Sequence, residues 1–383
     1  QTVTVQYATA DGTATAPSDY TAAALTTLSF PPNTTTKTIT VPVKGDTIFE
    51  PDDTFFVNLS DPVNGSVADA QGLGTITNDD SRPTISINDV TVTEGNSGFV
   101  NALFTVTLSN ASYQTITVQY STADGTATAP DDYTAQSLIT LSFPPGITLK
   151  KFPVPVKGDT TFEPTETFFA NLSNATFAAL ADGQGVGTIT NNDNQPTLSI
   201  SDATVTEGNS GTINAVFTVS LSNASAQTIT VQYATADDTA TAPGDYTALP
   251  LTTLTFPPNT LTQTITVAVN GDTIYEPPSE TFFVDLTNPV NVVLLDDQGL
   301  GTIIDNESQP TISINDVVVT EGDAGTVSAV FTVSLSNASA STITVKYATA
   351  NGTATAPGDY TALPLATMTF SPGTLTQTIT LQV

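Results

Sequence analysis

Three carboxylates, Asp159, Glu163 and Glu166, fall within the stretch GDTTFEPTETFF at residues 158–169, and Pro164 interrupts the run. Carboxylates grouped in a loop can work as an acid and base pair, supply hard oxygen ligands to a cation, or simply face water. A glycoside-cleaving pair needs a carboxylic acid facing a second carboxylate about 5–9 Å away across a cleft. Glu163 and Glu166 are the pair this loop offers. Against catalysis, matching acids recur in each of the three repeats that contain this loop, and no aromatic platform for a sugar lies beside them.

Composition removes other chemistries. The 383 residues include no Cys, His or Trp, and 37 acidic residues stand against 7 basic ones, a formal net charge of -30. Thiol and imidazole nucleophiles, His-based zinc sites and disulfides therefore lack their residues. The seven cations are Lys37, Lys44, Arg82, Lys150, Lys151, Lys157 and Lys346, too few and scattered for a phosphate-binding face. Nucleic acid is thus an unsuitable partner. No apolar run approaches the roughly 18–20 residues of a membrane span, so this segment is not expected to insert into a membrane. The acidic, Thr-rich, Lys-poor composition suits an extracellular bacterial protein.

The elements that must position these acids come in repeats. DYTA recurs at Tyr20, Tyr133, Tyr246 and Tyr360, and VTEG recurs at Glu94, Glu207 and Glu321, at intervals of 113 or 114 residues. A period this long is a whole domain rather than a solenoid unit. The one-residue difference falls in the acidic loop, where FEPTETFF becomes YEPPSETFF near Pro278. Taking RPTISI, QPTLSI and QPTISI as starts, complete repeats are expected at 83–195 and 196–309. Residues 1–82 form a partial repeat without its N-terminal strands, and residues 310–383 one without its C-terminal strands. The two partial repeats share a segment, so they do not abut as complementary halves. The chain is read as a stretch of a longer array, continued by further copies or by the same chain in the same register.

Within a repeat, FTVTLS (104–109), TITVQY (115–120), TFFANLS (167–173) and VGTIT (186–190) alternate apolar with polar side chains. That period-two pattern of β-branched residues is strand chemistry. Turn signals such as ADG, FPPG and KGD separate the strands. Some seven strands per repeat predict an all-β fold of tandem Ig-like antiparallel β-sandwiches. Tyr133, Phe168 and Phe169 are expected to fill the core. The links NDDSRP, NNDNQP and DNESQP each end in a proline that restricts the hinge, predicting beads on a string with about 40 Å per module.

Acids recur at matching places: Glu94, Asp132, Asp159, Glu163, Glu166 and Asp193 in one complete repeat, and Glu207, Asp245, Asp272, Glu276, Glu280, Asp305 and Glu307 in the next. All lie at expected strand ends or in loops, and their convergence at one end of each sandwich is expected. Two carboxylates ~5 Å apart at an effective dielectric of ~20 repel by ~3 kcal/mol. Such a cluster must spread, protonate or take a cation.

VTEG with its Glu, ATADGTATAPxDYT, the GDTxxEPxxETF loop and the GTITNDD exit together resemble the Calx-beta family of sodium-calcium exchangers and bacterial surface proteins. The resemblance covers essentially the whole chain. It implies that the acids named above are Ca²⁺ ligands. This chain departs from the calcium-rich pattern at Gly158 and Gly271, where related loops often carry an Asp, and at 191–193, which reads NND in place of an acidic triplet. Fewer charged ligands imply one or two Ca²⁺ per complete repeat.

The repeats look alike, down to TATAP in all four. Spacers are expected to look alike and binding loops to differ. The expected function is therefore structural and non-catalytic: a calcium-stiffened extracellular array forming a fibre, stalk or adhesin shaft for cell-surface attachment or matrix assembly. The alternative is an adhesive module that binds a surface glycan or protein receptor through calcium-bearing loops. Sequons at Asn110 and Asn223 permit glycosylation.

Overall fold

A computed structural model describes residues 1–276 and 279–383. The expected extra residue near Pro278 lies outside the described residues. The chain forms two compact units, one of residues 1–160 and 164–192, the other of residues 161–163 and 193–383. Among the described residues there is no helix.

In the first unit, residues 84–160 and 164–190 form a two-sheet sandwich. One sheet has the order Ile139–Phe143, Ile116–Asp124, Glu166–Thr176, Gln184–Thr190, Val90–Thr93, and the other Leu149–Gly158, Gly98–Leu108, Thr84–Ile87, Ala179–Leu180. The second unit repeats this arrangement. Its five-stranded sheet runs Ala203–Thr206, Gln298–Ile304, Glu280–Val290, Ile229–Asp237, Thr252–Phe256, and its four-stranded sheet Thr262–Gly271, Gly211–Leu221, Thr197–Ile200, Val293–Asp296.

Each sandwich thus has nine strands, and not all pairs are antiparallel. Val90–Thr93 runs parallel to Gln184–Thr190, and Ala179–Leu180 parallel to Thr84–Ile87. The cause lies at Asn88 and Asp89, between two strands that would otherwise be one. Asn88 Oδ1 accepts the Thr105 amide at 2.6 Å in one sheet, while Asp89 Oδ1 accepts the Val186 amide at 2.7 Å in the other. Adjacent side chains therefore hand the chain from sheet to sheet. Ser201 and Asp202 do the same in the second unit, toward Thr218 and Leu300.

The inward residues of both sheets meet in one core per sandwich. Tyr133 is stacked on Phe168 with ring centroids 4.5 Å apart, and Tyr246 on Phe282 at the same distance. Phe169 alternates to the other face of its strand and is only half-buried. Of the expected aromatic pair, Phe168 alone is a core residue.

Residues 1–82 supply one four-stranded sheet, ordered Thr26–Phe30, Val3–Asp11, Asp53–Val63, Gln71–Ile76. Residues 310–383 supply a three-stranded and a two-stranded sheet. Neighbouring repeats within a unit are tied by short parallel pairs. Ile48–Phe49 pairs with Ala111–Ser112 in the first unit, and Ile274–Tyr275 with Ala338–Ser339 in the second.

Candidate metal centre

The third repeat shows how strand pairing gathers charge. Ala203–Thr206 runs parallel to Gln298–Ile304 with Thr206 opposite Ile304. Parallel strands end on the same side, so the next residues, Glu207 and Asp305, emerge together. The Glu207 amide completes the ladder by donating to the Ile304 carbonyl at 3.1 Å. Glu280 starts the neighbouring strand opposite Ile303, which brings a third acid to that end.

Asp305 then organises two loops. One of its oxygens accepts the Glu307 amide at 2.8 Å and the other accepts the Glu276 amide at 3.0 Å. Asp272 Oδ1 accepts the Ile274 amide at 2.7 Å, turning the loop toward Glu276. Asp245 is held by the Thr241 amide at 2.6 Å. Its neighbour Tyr246 is buried in the core, so the aromatic stack fixes where Asp245 sits.

Two groups of carboxylates result. Oxygens of Glu207, Asp305 and Glu307 lie within 4.8 Å of one another, as do those of Asp245, Glu276 and Glu280. Burial, then the charges of Glu276, Asp272, Asp305 and Glu307, push Glu207 up to about 7. Burial, then Glu280, Asp245, Asp272 and Asp305, do the same to Glu276. Glu307 is raised to about 7 by burial and by its hydrogen bond and charge contact with Asp305. Glu280 is raised by burial and by Asp245. All seven acids expected in this repeat are therefore in electrostatic contact.

Glu207 is 6% exposed, and its Oε1 is buried without a hydrogen-bond partner, as is Glu307 Oε2. Residues 196–309 contain no Lys or Arg, so this repeat offers no cationic side chain to its own cluster. An all-oxygen donor set without His or Cys suits a hard cation, and flexible loop carboxylates suit the irregular shell of Ca²⁺ better than the octahedron of Mg²⁺.

The second repeat starts from the same pairing. Glu94 follows a strand whose last residue lies opposite Thr190, and it is 4% exposed. Asp132 is held by the Thr128 amide at 2.6 Å. Burial, then the charge and hydrogen bond of Asp132 and the charge of Glu94, raise Glu166 to about 7. Glu94, Asp132 and Glu166 thus meet within the first unit, where Asp159 follows the strand Leu149–Gly158. Glu163 and Asp193 belong to the second unit. There Phe162, the residue before Glu163, exchanges backbone hydrogen bonds with Ala224 and Ala226 at 2.9 and 3.1 Å.

The glycines at 158 and 271 have a steric reason. A Cβ on Gly271 would stand 1.9 Å from the Gly208 carbonyl oxygen, and one on Gly158 2.2 Å from that of Gly95. The TEG turn packs directly on each, leaving no room for an Asp side chain.

A third cluster lies in the first repeat. Glu50 is raised by burial and then by the charges of Asp46, Asp53, Asp19 and Asp80. Its loop, GDTIFEPDDTFF at residues 45–56, carries the same motif as the acidic loops of the complete repeats. In the fourth repeat Glu321 is exposed, unlike Glu94 and Glu207.

Fold and site together define an all-β protein of sandwich domains with acidic clusters at strand ends. The Calx-beta domain profile matches residues 1–80, 77–194, 191–316 and 304–383, and the chain belongs to that family. Among solved structures it is similar to CBD12 from CALX1.2, with 20% identity over 57% of this chain and 99% of that one and a TM-score of 0.28. It is also similar to the calcium binding domain CBD12 of CALX1.1, with 25% identity over 54% of this chain and 79% of that one and a TM-score of 0.27. The apo-form Calx CBD1 domain matches at 26% identity over 30% of this chain and 100% of that one, with a TM-score of 0.27. Comparison with curated proteins finds no match.

Proposed function

We propose that the chain is a calcium-stiffened structural array, non-catalytic and extracellular, serving as the shaft of a fibre, stalk or adhesin for cell-surface attachment or matrix assembly. The observation that carries the reading is the third repeat's cluster: two buried carboxylate oxygens without hydrogen-bond partners, in a repeat without a single basic residue. Membership of the Calx-beta domain family supports calcium as the ion. Two groups of three carboxylates suit two ions in this repeat.

Stiffening follows from where the cluster's loop leads. Glu276 follows directly on Ile274–Tyr275, which pair with Ala338–Ser339 of the next repeat. An ion held by Glu276 would fix the same loop that grips the neighbour. The acids of the second repeat, Asp159, Glu163 and Asp193 among them, are assigned the same role by position.

Calorimetric titration and melting of the full chain, with calcium and with chelator, test this. An ion that binds only the folded state adds ~2.7 kcal/mol at 100 times its dissociation constant. Saturable binding, a higher melting temperature and an unchanged or longer hydrodynamic dimension support the reading. Glu207→Gln should weaken both binding and stabilisation. An array whose melting ignores calcium overturns it.

A further inference from the structure

The second and third repeats share one fold and one register, so comparing their outward positions separates what the sandwich requires from what a particular repeat adds. On the sheet edge formed by Gly98–Leu108 and Leu149–Gly158, Pro153 pairs with Leu103, Lys151 with Thr105 and Lys157 with Phe99. Alternation puts all of these on the outer face, opposite the buried Phe104, Phe152 and Val154. Phe99 is 65% exposed. The third repeat has Thr212 in place of Phe99, Thr266 in place of Pro153, Thr264 in place of Lys151 and Asn270 in place of Lys157. The fold is built there without them, so the sandwich does not require them; Phe99, Lys151 and Pro153 are additions of the second repeat, while Lys157 also has a counterpart in Lys44 of the first.

The third repeat carries an addition of opposite sign. Where the second repeat has Ala181 and Gly183, the third has Leu295 and Asp297. Leu295 is 75% exposed, beside exposed Val293, Asp296 and Asp297. One patch is apolar with cations and the other apolar with anions.

We propose that these two patches bind each other between copies of the chain: the Phe99, Leu103 and Pro153 strip of one copy receives Val293 and Leu295 of a second, with Lys151 and Lys157 facing Asp296 and Asp297. Like patches cannot pair, because lysines would face lysines and aspartates would face aspartates. In a chain of net charge -30, unmatched copies repel, and the lysine-bearing strand is where attraction can be placed. Edge-to-edge strand pairing is blocked, since Pro153 and Pro155 deprive the outer strand of amide donors. A contact between two different patches is heterologous, so it runs on into a filament or closes into a ring. The inference does not depend on any bound cation.

Sedimentation of the full chain across concentration, at fixed calcium, reads the association directly. It should be concentration-dependent and weaken as salt rises. Phe99→Thr with Pro153→Thr installs residues that the third repeat already tolerates, and Leu295→Ala with Asp297→Gly installs those of the second. Each pair should weaken association by roughly tenfold or more while leaving the melting curve in place. Lys157→Glu should act likewise, and adding Asp297→Lys to it in the same chain should restore association. A chain that stays monomeric throughout, or one whose association survives either patch variant, overturns the proposal.

Discussion

Tyr133 donates its hydroxyl to Asp124 at 2.7 Å while its ring stacks on Phe168, so one side chain anchors the core and closes the loop before the acidic cluster. Burial, then the hydrogen bond to Asp124, push the phenol up to about 12. In the fourth repeat the partner is Asn351, which accepts from Tyr360 at the same 2.7 Å. The position needs an acceptor, not a charge. Tyr133→Phe should therefore cost about 0.5–1.5 kcal/mol, and Phe168→Ala about 3–5 kcal/mol. Denaturant unfolding measures both, and Asp124→Asn should fall below either.

The raised glutamates set the sign of a pH effect in chelator. Glu166, Glu207, Glu276 and Glu307 sit at about 7, against an ordinary 4.5. Below the lower value both folded and unfolded chains are protonated and nothing is lost. Between the two, the unfolded chain releases protons that the folded chain retains, so folding stability falls as pH rises and levels off above about 7. The chelated chain should melt higher at about pH 5 than at about pH 7.5. Calcium requires the ionised carboxylates, so the stabilisation it adds should grow over the same interval. Melting curves across pH, with and without the ion, decide it.

Much of this was legible in the sequence, because strand alternation, the DYTA tyrosines and the recurring acids are local patterns. Phe168 was identifiable as a large apolar strand residue, but which of Phe168 and Phe169 faces inward depends on register, and register is set by the partner strands. The handover at Asn88 and Asp89 was not legible. It rests on bonds to Thr105 and Val186, 17 and 97 residues away, and no neighbouring residue announces it. Clustering of Glu207 with Asp305 likewise depends on a parallel pairing across the whole repeat. The cluster around Glu50 was legible in its motif, which matches the loops at 158–169 and 271–283.

Three of the sequon asparagines, those of the recurring Asn-Ala-Ser at 110, 223 and 337, already have work. Asn110, Asn223 and Asn337 each donate their side-chain amide to a linker carbonyl, that of Ser81, Asn194 and Ser308, at 2.9–3.0 Å. The nitrogen that would carry a glycan thus clasps the link between repeats. These three sites should remain unglycosylated once the chain is folded, which site-resolved peptide mapping of secreted material from a glycosylating host can show, since other sequons such as Asn33 and Asn171 would also add to an intact mass. Asn223→Ala should cost about 1 kcal/mol at most and speed amide exchange in residues 194–197.

Gly271 tests whether the cluster could accept an Asp at this position. Its added Cβ would lie 1.9 Å from the Gly208 carbonyl oxygen and 2.6 Å from the carbonyl carbon, both backbone atoms that cannot swing aside as a side chain would. Gly208 follows Glu207, so relieving the clash means moving the turn that carries a buried carboxylate of the site. Gly271→Asp should therefore destabilise the chain by about 1–3 kcal/mol and weaken calcium binding despite the added charge. Gly271→Ala separates space from charge, since it introduces the clash alone. If the turn is as tight as these distances require, both variants lose stability and neither gains affinity in titration calorimetry. An Asp variant that binds calcium more tightly than the parent would show that the turn yields, and that the small number of charged ligands at this end is not imposed by packing.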